Sequence, residues 1–535
     1  MDNLVLGCFL SLFLMVLSAA GVVHGATVTP CAQTPYPQVC AHFIRANIPL
    51  SNLDETQFAF RDVALQVTVD QARLAHRLVS AMDLSSFDQR ARSAWVDCLE
   101  LYDDTVNKLN RVISSKNPTS MNDAQTWLSA TLANQQTCQN GFTDLNSSPR
   151  LQYLPSMLSN FTKLLSNSLA INKAAASASA STSHVPFSKQ TGGHRRLLSS
   201  GYPTWVSAAD RKLLQSSTGA ASKADIVVAQ DGSGNYKTIS EAVASVKGRS
   251  GASRFVIYVK AGVYKENVEI KMKNLMFIGD GIDATIVTGN KNAQGGSTTF
   301  RSATFAVSGD GFIAKDMTFE NTAGAQKHQA VALRSGSDLS VFFSCSFKGY
   351  QDTLYVYSQR QFYRDCDIYG TQDFIFGDAV AVFQNCNIYV RKPMGNQQNT
   401  VTAQGRTDPN ENTGIIIHNS RVTAASDLRS VQGSVKTYLG RPWQKYSRTV
   451  FMKSSLDGLI NPAGWLEWSG NFALSTLYYG EYMNIGSGAS TGGRVKWPGY
   501  RVIKRATEAG KFTVGNFLAG DGWIPATGVP FDSGM

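Results

Sequence analysis

Three segments of one pattern recur along the chain: Phe343-Ser-Cys345-Ser-Phe347, Tyr363-Arg-Asp-Cys366-Asp-Ile368 and Phe383-Gln-Asn-Cys386-Asn-Ile388, with cysteines 21 and then 20 residues apart. An earlier stretch, Ile313-Ala-Lys-Asp316-Met-Thr-Phe319, fits the same frame without a cysteine. A unit this short cannot bury its apolar side chains alone and must stack on its neighbours. From Asp225 onward, short runs rich in Val, Ile, Phe and Tyr alternate with Gly, Asn and Asp. No helix-length segment separates them, which argues against βαβ units. The spacing predicts an all-β parallel β-helix over residues 224–535.

The repeat also carries Gly349-Tyr350-Gln351-Asp352 and Gly370-Thr371-Gln372-Asp373, each aspartate three residues after its glycine and seven after its cysteine. The two carboxylates therefore occupy equivalent places on successive coils, about 4.8 Å apart in the stacking direction. Like charges that close do not both ionise comfortably, so an acid and a base, or an acid and a nucleophile, are expected side by side. A lone aspartate here would read as part of a surface ladder. A repeated Gly-x-Gln-Asp among aromatics reads as chemistry.

The first half has another texture. Residues 26–175 carry apolar residues at three- and four-residue spacing, as in Phe58–Leu78 and Ser93–Ile113, broken at Asn117-Pro118 and resumed over Asp123–Leu132. A four-helix bundle is the simplest all-α solution. Cys31 and Cys40 would staple its start, and Cys98 and Cys138 would tie two long helices. Residues 176–223 are Ala/Ser-rich and then contain Arg195-Arg196-Leu-Leu and Arg211-Lys212-Leu-Leu, which reads as an exposed linker with two dibasic processing sites.

Compartment follows from the start of the chain. Leu4–Ala20 is almost wholly apolar and leads into Val23-His24-Gly25, so residues 1–25 read as a secretory signal, although its first residues hold Asp2 and no Lys or Arg. No other stretch could span a membrane. Disulfides are permitted on that route, and the sequons at Asn146 and Asn160 become glycosylation candidates. The net charge of +11 is scattered rather than gathered in runs. That pattern excludes nucleic acid and suits an acidic polymer outside the cell. The absence of Cys-x-x-Cys and His-x-x-x-His spacings gives no metal site, and no cofactor is expected.

These residues resemble the plant pectin methylesterases across about 224–535. The resemblance is carried by Gly349-Tyr-Gln-Asp352-Thr-Leu-Tyr355, Asp373-Phe-Ile-Phe-Gly377, Gln329-Ala-Val-Ala-Leu333 and Leu439-Gly-Arg441-Pro-Trp443, in the family's order. Residues 31–175 resemble the pectin methylesterase inhibitor fold, whose cysteine pairs match 31/40 and 98/138. The resemblance implies a right-handed β-helix, secretion to the cell wall, and a monomer acting on methyl-esterified homogalacturonan. It also implies dealings with a proteinaceous inhibitor and a processing protease.

Residue by residue, the resemblance makes Asp373 the nucleophile and Asp352 the proton donor and later base. Gln329 and Gln351 become the oxyanion donors and Arg441 the partner that holds Asp373. Thr299, Trp443 and Trp465 become substrate contacts, beside Gln329 and Arg441. It pairs Cys366 with Cys386 and leaves Cys345 as a buried thiol. His328 reads as a bystander. Gln372 and Asp378 depart from the family pattern without touching an assigned role.

Other enzymes fit less well. A Ser-His-Asp esterase lacks its Gly-x-Ser-x-Gly elbow. A polygalacturonase would explain Arg501-Val-Ile-Lys504 but lacks its paired aspartates and Gly-His-Gly, and a lyase lacks an acidic calcium cluster. A non-enzymatic inhibitor or wall-binding module does not need the full set Gln329, Gln351, Asp352, Asp373 and Arg441.

Overall fold

The computed structural model describes residues 30–45, 57–85, 87–115, 118–143, 153–182, 224–249 and 253–535. The leader, Asn146 and both dibasic blocks lie outside these residues.

The first domain is helical: α1 (Pro37–Arg45), α2 (Gln57–Ser80), α3 (Gln89–Ser114), α4 (Pro118–Thr143) and α5 (Tyr153–Thr182). Its boundaries follow local chemistry. The Asp88 carboxylate accepts the Ala91 N–H at 2.8 Å and caps α3. Pro118, with no N–H to waste, opens α4. Helix α5 runs beyond residue 175 to Thr182, because the Ala-rich stretch expected to act as linker begins with the strongest helix former. Cys31–Cys40 and Cys98–Cys138 are bonded as the spacing predicts, the second tying α3 to α4. Asn160 is exposed on α5.

From Ile226 the chain winds into three parallel sheets of 11, 7 and 8 strands, each central coil giving one strand to each sheet. The seven-stranded sheet matters most for function. Its strands are β1 (Val268–Ile270), β2 (Phe305–Val307), β3 (Leu333–Ser335), β4 (Leu354–Val356), β5 (Ile375–Gly377), β6 (Asn399–Gln404) and β7 (Thr437–Gly440). They stack in register, with Leu333 opposite Leu354 and Leu354 opposite Ile375. Side chains alternate across the wall. Leu333, Leu354 and Ile375 point into the solenoid core, where Phe342, Tyr363 and Phe383 form a ring stack with centroids 4.8 and 4.4 Å apart. Short C-terminal helical turns cover the outer face of the 11-stranded sheet through Phe512, Val514, Leu518 and Ile524.

Cys345, Cys366 and Cys386 stand on successive coils as the repeat requires, and all three are buried. All three are also free, so the bond expected between Cys366 and Cys386 is not formed here. Their thiols turn to backbone carbonyls instead: Cys366 to Arg364 at 3.3 Å and Cys386 to Tyr363 at 3.6 Å.

The outward residues of the seven-stranded sheet form a second column: Glu269, Ala306, Arg334, Tyr355, Phe376 and Ala403. The helical bundle lies on this face. Tyr355, Tyr357, Phe376, Ala403 and Phe300 share one apolar core with Leu101, Tyr102, Leu128 and Leu132 of the bundle. Polar ties frame it. Tyr357 donates to Asn134 at 2.7 Å, Trp127 donates to Asp338 at 2.9 Å, and Arg111 meets Asp310 at 2.9 Å.

Candidate active site

A cavity of about 350 Å³ opens on that face. Its floor and walls on the β-helix side include Thr299, Phe300, Gln329, Gln351, Asp352, Tyr355, Asp373, Phe376, Arg441, Trp443 and Trp468. Nearly all of the site residues expected from the sequence are thus brought together by the coil repeat.

Asp352 and Asp373 sit at one corner of successive coils, two residues before β4 and β5. Both adopt left-handed backbone angles, φ 61° and 51°. Aspartate tolerates that region better than most residues. The register of β4 against β5 sets the two carboxylates beside each other, about one strand spacing apart. Both are nearly buried, at 8% and 5% exposure.

Asp373 is firmly held. Arg441 donates Nε to Oδ1 at 2.9 Å and Nη2 to Oδ2 at 2.6 Å, a two-pronged grip that suits an ionised carboxylate. Thr400 adds its hydroxyl to Oδ1 at 2.6 Å and accepts the Asp373 N–H at 2.8 Å. Arg441 is placed by the end of β7 and lies 4.4 Å over the Trp468 ring. Burial would lower the Arg441 pKa, but Asp373 more than offsets this and raises it. On the other side, Gln329 and Gln351 line the cavity, and the Gln351 Oε1 has no hydrogen-bond partner. A buried amide left open is available to a ligand.

Of the aromatic expectations, Trp443 lines the cavity. Its ring lies over Gly405, where an added Cβ would fall 2.8 Å from the indole, so glycine is required by close approach. Trp465 does not line it. That ring is 1% exposed, stacks on Tyr479 at 4.1 Å and donates to Glu481 at 3.3 Å. The second cleft tryptophan is Trp468, three residues later and 37% exposed, beside the polar turn Ser469-Gly470-Asn471. That polar turn was the available signal. Thr400, the second support of Asp373, carries no signal beyond its place one coil further on. His328 does not line the cavity.

The roof of the cavity comes from the other domain: Arg90 and Asp97 of α3, and Thr137, Asn140 and Gly141 of α4. Asp97 accepts the Thr298 hydroxyl at 2.5 Å and pairs with Arg301, which also meets Glu100 at 3.0 Å. Lys271 holds the other oxygen of Glu100 at 2.8 Å. Burial, the largest effect, pushes Asp97 up to about 6 against the pull of Arg301 and Thr298. Burial would also raise Glu100, but Lys271 and Arg301 overcome it and hold the group at about 2.

Comparison with known proteins agrees with this anatomy. The Pectinesterase family profile matches residues 225–521, and that described as plant invertase/pectin methylesterase inhibitor matches residues 27–171. The chain is 55% identical over 505 residues to Pectinesterase 2 of Citrus sinensis, covering 94% of each. It is 57% identical over 507 residues to probable pectinesterase/pectinesterase inhibitor 17 of Arabidopsis thaliana, again covering 94% of each. Among solved structures, the pectin methylesterase from carrot matches with a TM-score of 0.58 and 60% identity, covering 58% of this chain and 98% of that one. The chain therefore belongs to the pectinesterase family of carboxylic ester hydrolases, with an inhibitor-type domain in front of the β-helix.

Proposed function

We propose that this protein hydrolyses the methyl esters of homogalacturonan to pectate and methanol through an acyl-enzyme formed on Asp373. The observation that carries the reading is the grip of Arg441 and Thr400 on Asp373, beside Asp352 and two cleft glutamines. Asp373 attacks the ester carbonyl carbon, and the electron pair moves onto the carbonyl oxygen, where Gln329 and Gln351 donate hydrogen bonds. Collapse expels methoxide, which takes the proton of Asp352 and leaves as methanol. Asp352, now a base, draws a proton from water as the water attacks the acyl carbon, and the galacturonate carboxylate departs from Asp373. Trp443 and Trp468 offer ring faces to the sugars.

The site reading extends to biology. The protein acts as a secreted monomer modifying the cell wall, glycosylated at Asn146 and Asn160. Its bundle restrains the esterase until a protease cuts at Arg195-Arg196 or Arg211-Lys212. The roof that α3 and α4 place over the cavity supports restraint.

Methanol release from methylated homogalacturonan, measured before and after cutting the 183–223 segment, tests the proposal. Release that rises on cutting and vanishes in Asp373→Asn and Asp352→Asn is expected. Depolymerisation without methanol would instead favour a β-helix glycosidase or lyase.

A further inference from the structure

Two carboxylates that take no part in the steps above are buried together behind the cleft. Asp378 follows β5 directly, and Glu411 lies in the 405–413 loop that follows β6. Asp378 Oδ1 accepts Gln404 Nε2 at 3.0 Å and the Thr413 hydroxyl at 2.5 Å. Glu411 Oε1 accepts the Thr407 and Asp408 N–H groups at 2.9 and 2.6 Å, but Glu411 Oε2 is buried and meets no donor from the protein. The two carboxyls lie within hydrogen-bond reach of each other, so a proton held between them completes the pair. The nearby guanidiniums do not. Arg406 donates to the backbone carbonyls of Glu411, at 3.0 Å, and of Pro409, and Arg448 Nη2 donates to the Glu411 carbonyl at 3.4 Å. Burial raises the pKa of both acids, and at Glu411 the charge of Asp378 adds to it against the pull of Arg406.

Gln404 links the pair to the cleft wall. Its amide donates to Asp378, while its Oε1 accepts the Arg406 and Arg448 N–H groups at 3.1 and 2.7 Å. It stands between Ala403, which lines the cavity, and Gly405, which packs against the Trp443 ring. The Gly405 N–H donates to the Gly377 carbonyl at 2.8 Å. The segment that carries Trp443 is fastened at its start by the Arg441 N–H on the Thr402 carbonyl, and at its end by the Tyr446 N–H on the Arg406 carbonyl, both at 3.0 Å. The second fastening depends on the 405–413 loop. The same loop also meets the bundle: Gln125 donates to the Asn410 carbonyl at 2.8 Å, Asn412 to the Thr126 hydroxyl at 2.9 Å, and Ser166 to Asp408.

We propose that Asp378 and Glu411 are positioning residues for the reaction: joined by one shared proton, they fix the 405–413 loop and with it the place of Trp443, and loss of that proton slackens the cleft wall. The inference rests on the pectinesterase reading and adds a regulation of that same site by pH. The titratable and charged groups around the pair are Arg406 and Asp408 of the loop, Arg448, Tyr446, Tyr478, Tyr355 across the sheet, and Lys173 of α5. Acids raised on folding favour the closed loop fully below their ordinary range, and that contribution is lost as pH rises through the raised one. Two adjacent buried anions then repel, and one oxygen still lacks a donor. Polymer binding therefore weakens on the alkaline side, while Asp373 keeps its own supports in Arg441 and Thr400.

Methanol release by the cut chain from methylated homogalacturonan, followed from about pH 6 to about pH 8.5, reads the pair as KM against kcat. Burial and Arg406 lower the Arg448 pKa to about 9, so the window stops short of it. In wild type KM should rise about three- to tenfold across that window. Asp378→Asn should hold KM flat, because an amide donates to Glu411 at every pH, and Asp378→Ala, which offers no donor, should show the high KM throughout. Glu411→Gln should match Asp378→Asn and guards against a folding artefact at one position. Hydrogen exchange of amides 405–413 and 441–447 in the uncut chain, corrected for the intrinsic pH dependence of exchange, needs no turnover. Protection there should fall with rising pH in wild type and hold in both amide variants. KM and protection that change with pH alike in wild type and both amide variants overturn the pair and leave the esterase reading standing. Protection lost with pH only in wild type, in a protein that releases no methanol, keeps the pair and sinks the esterase reading.

Discussion

Asp97 of the helical domain accepts a 2.5 Å hydrogen bond from Thr298 of the β-helix, one residue before the cleft residue Thr299. The domain interface is thus sealed by a carboxylate that burial pushes up to about 6, from an ordinary 3.8. Arg301, Arg334, Glu100 and Thr298 face it. A group raised on docking favours the docked state fully below its ordinary value, and that contribution is lost as pH rises through about 6. Glu100, held at about 2, acts oppositely but only below its ordinary 4.5. Between pH 5 and 7.5, Asp97 governs. The cut bundle should bind the β-helix about tenfold more weakly at pH 7.5 than at pH 5. Asp97→Asn should flatten that dependence, as read by titrating inhibition with isolated bundle.

Arg441 supports Asp373 through two donors, which Lys cannot match geometrically. Arg441→Ala should lower kcat by about 10²-fold or more, with Arg441→Lys intermediate. Asp373→Asn should abolish turnover yet fold normally, since asparagine accepts the left-handed backbone there. Circular dichroism melts beside methanol assays check both.

Trp465 and Trp468 should separate cleanly. Trp465→Ala removes a core ring stacked on Tyr479 and should cost about 3–5 kcal/mol of stability. Trp468→Ala should leave the melting temperature nearly unchanged while raising KM for polymer. A matching KM rise is expected in Gly405→Ala, where the new methyl displaces Trp443.

Reduction of the Cys98–Cys138 bond should loosen the roof rather than the solenoid. It closes 40 residues of α3 and α4, worth about 4 kcal/mol in chain entropy. Mild reductant should therefore raise the activity of the uncut chain, while the cut enzyme stays unaffected.

The sequence made the solenoid legible because each coil must repeat the same inward pattern, and the paired Asp352 and Asp373 inherit that regularity. Arg441, Gln329 and Gln351 were readable through motifs. Trp465 was misplaced because the stretch 465–468 offers two tryptophans and no periodicity to rank them. The free thiols at Cys366 and Cys386 show the same limit: coil position sets adjacency, not bonding. Docking of the bundle was invisible, since Asp97, Glu100 and Trp127 look like ordinary helix surface until their partners, more than 170 residues downstream, are placed against them.

The left-handed corners at Asp352 and Asp373 have a further meaning for how such a solenoid can vary. These two carboxylates stand where the ribbon bends, two residues before β4 and β5 begin. Under the proposed mechanism, swapping acid for amide there should edit reactivity while the scaffold keeps its shape, so inert decoys that still hold the polymer lie one substitution away.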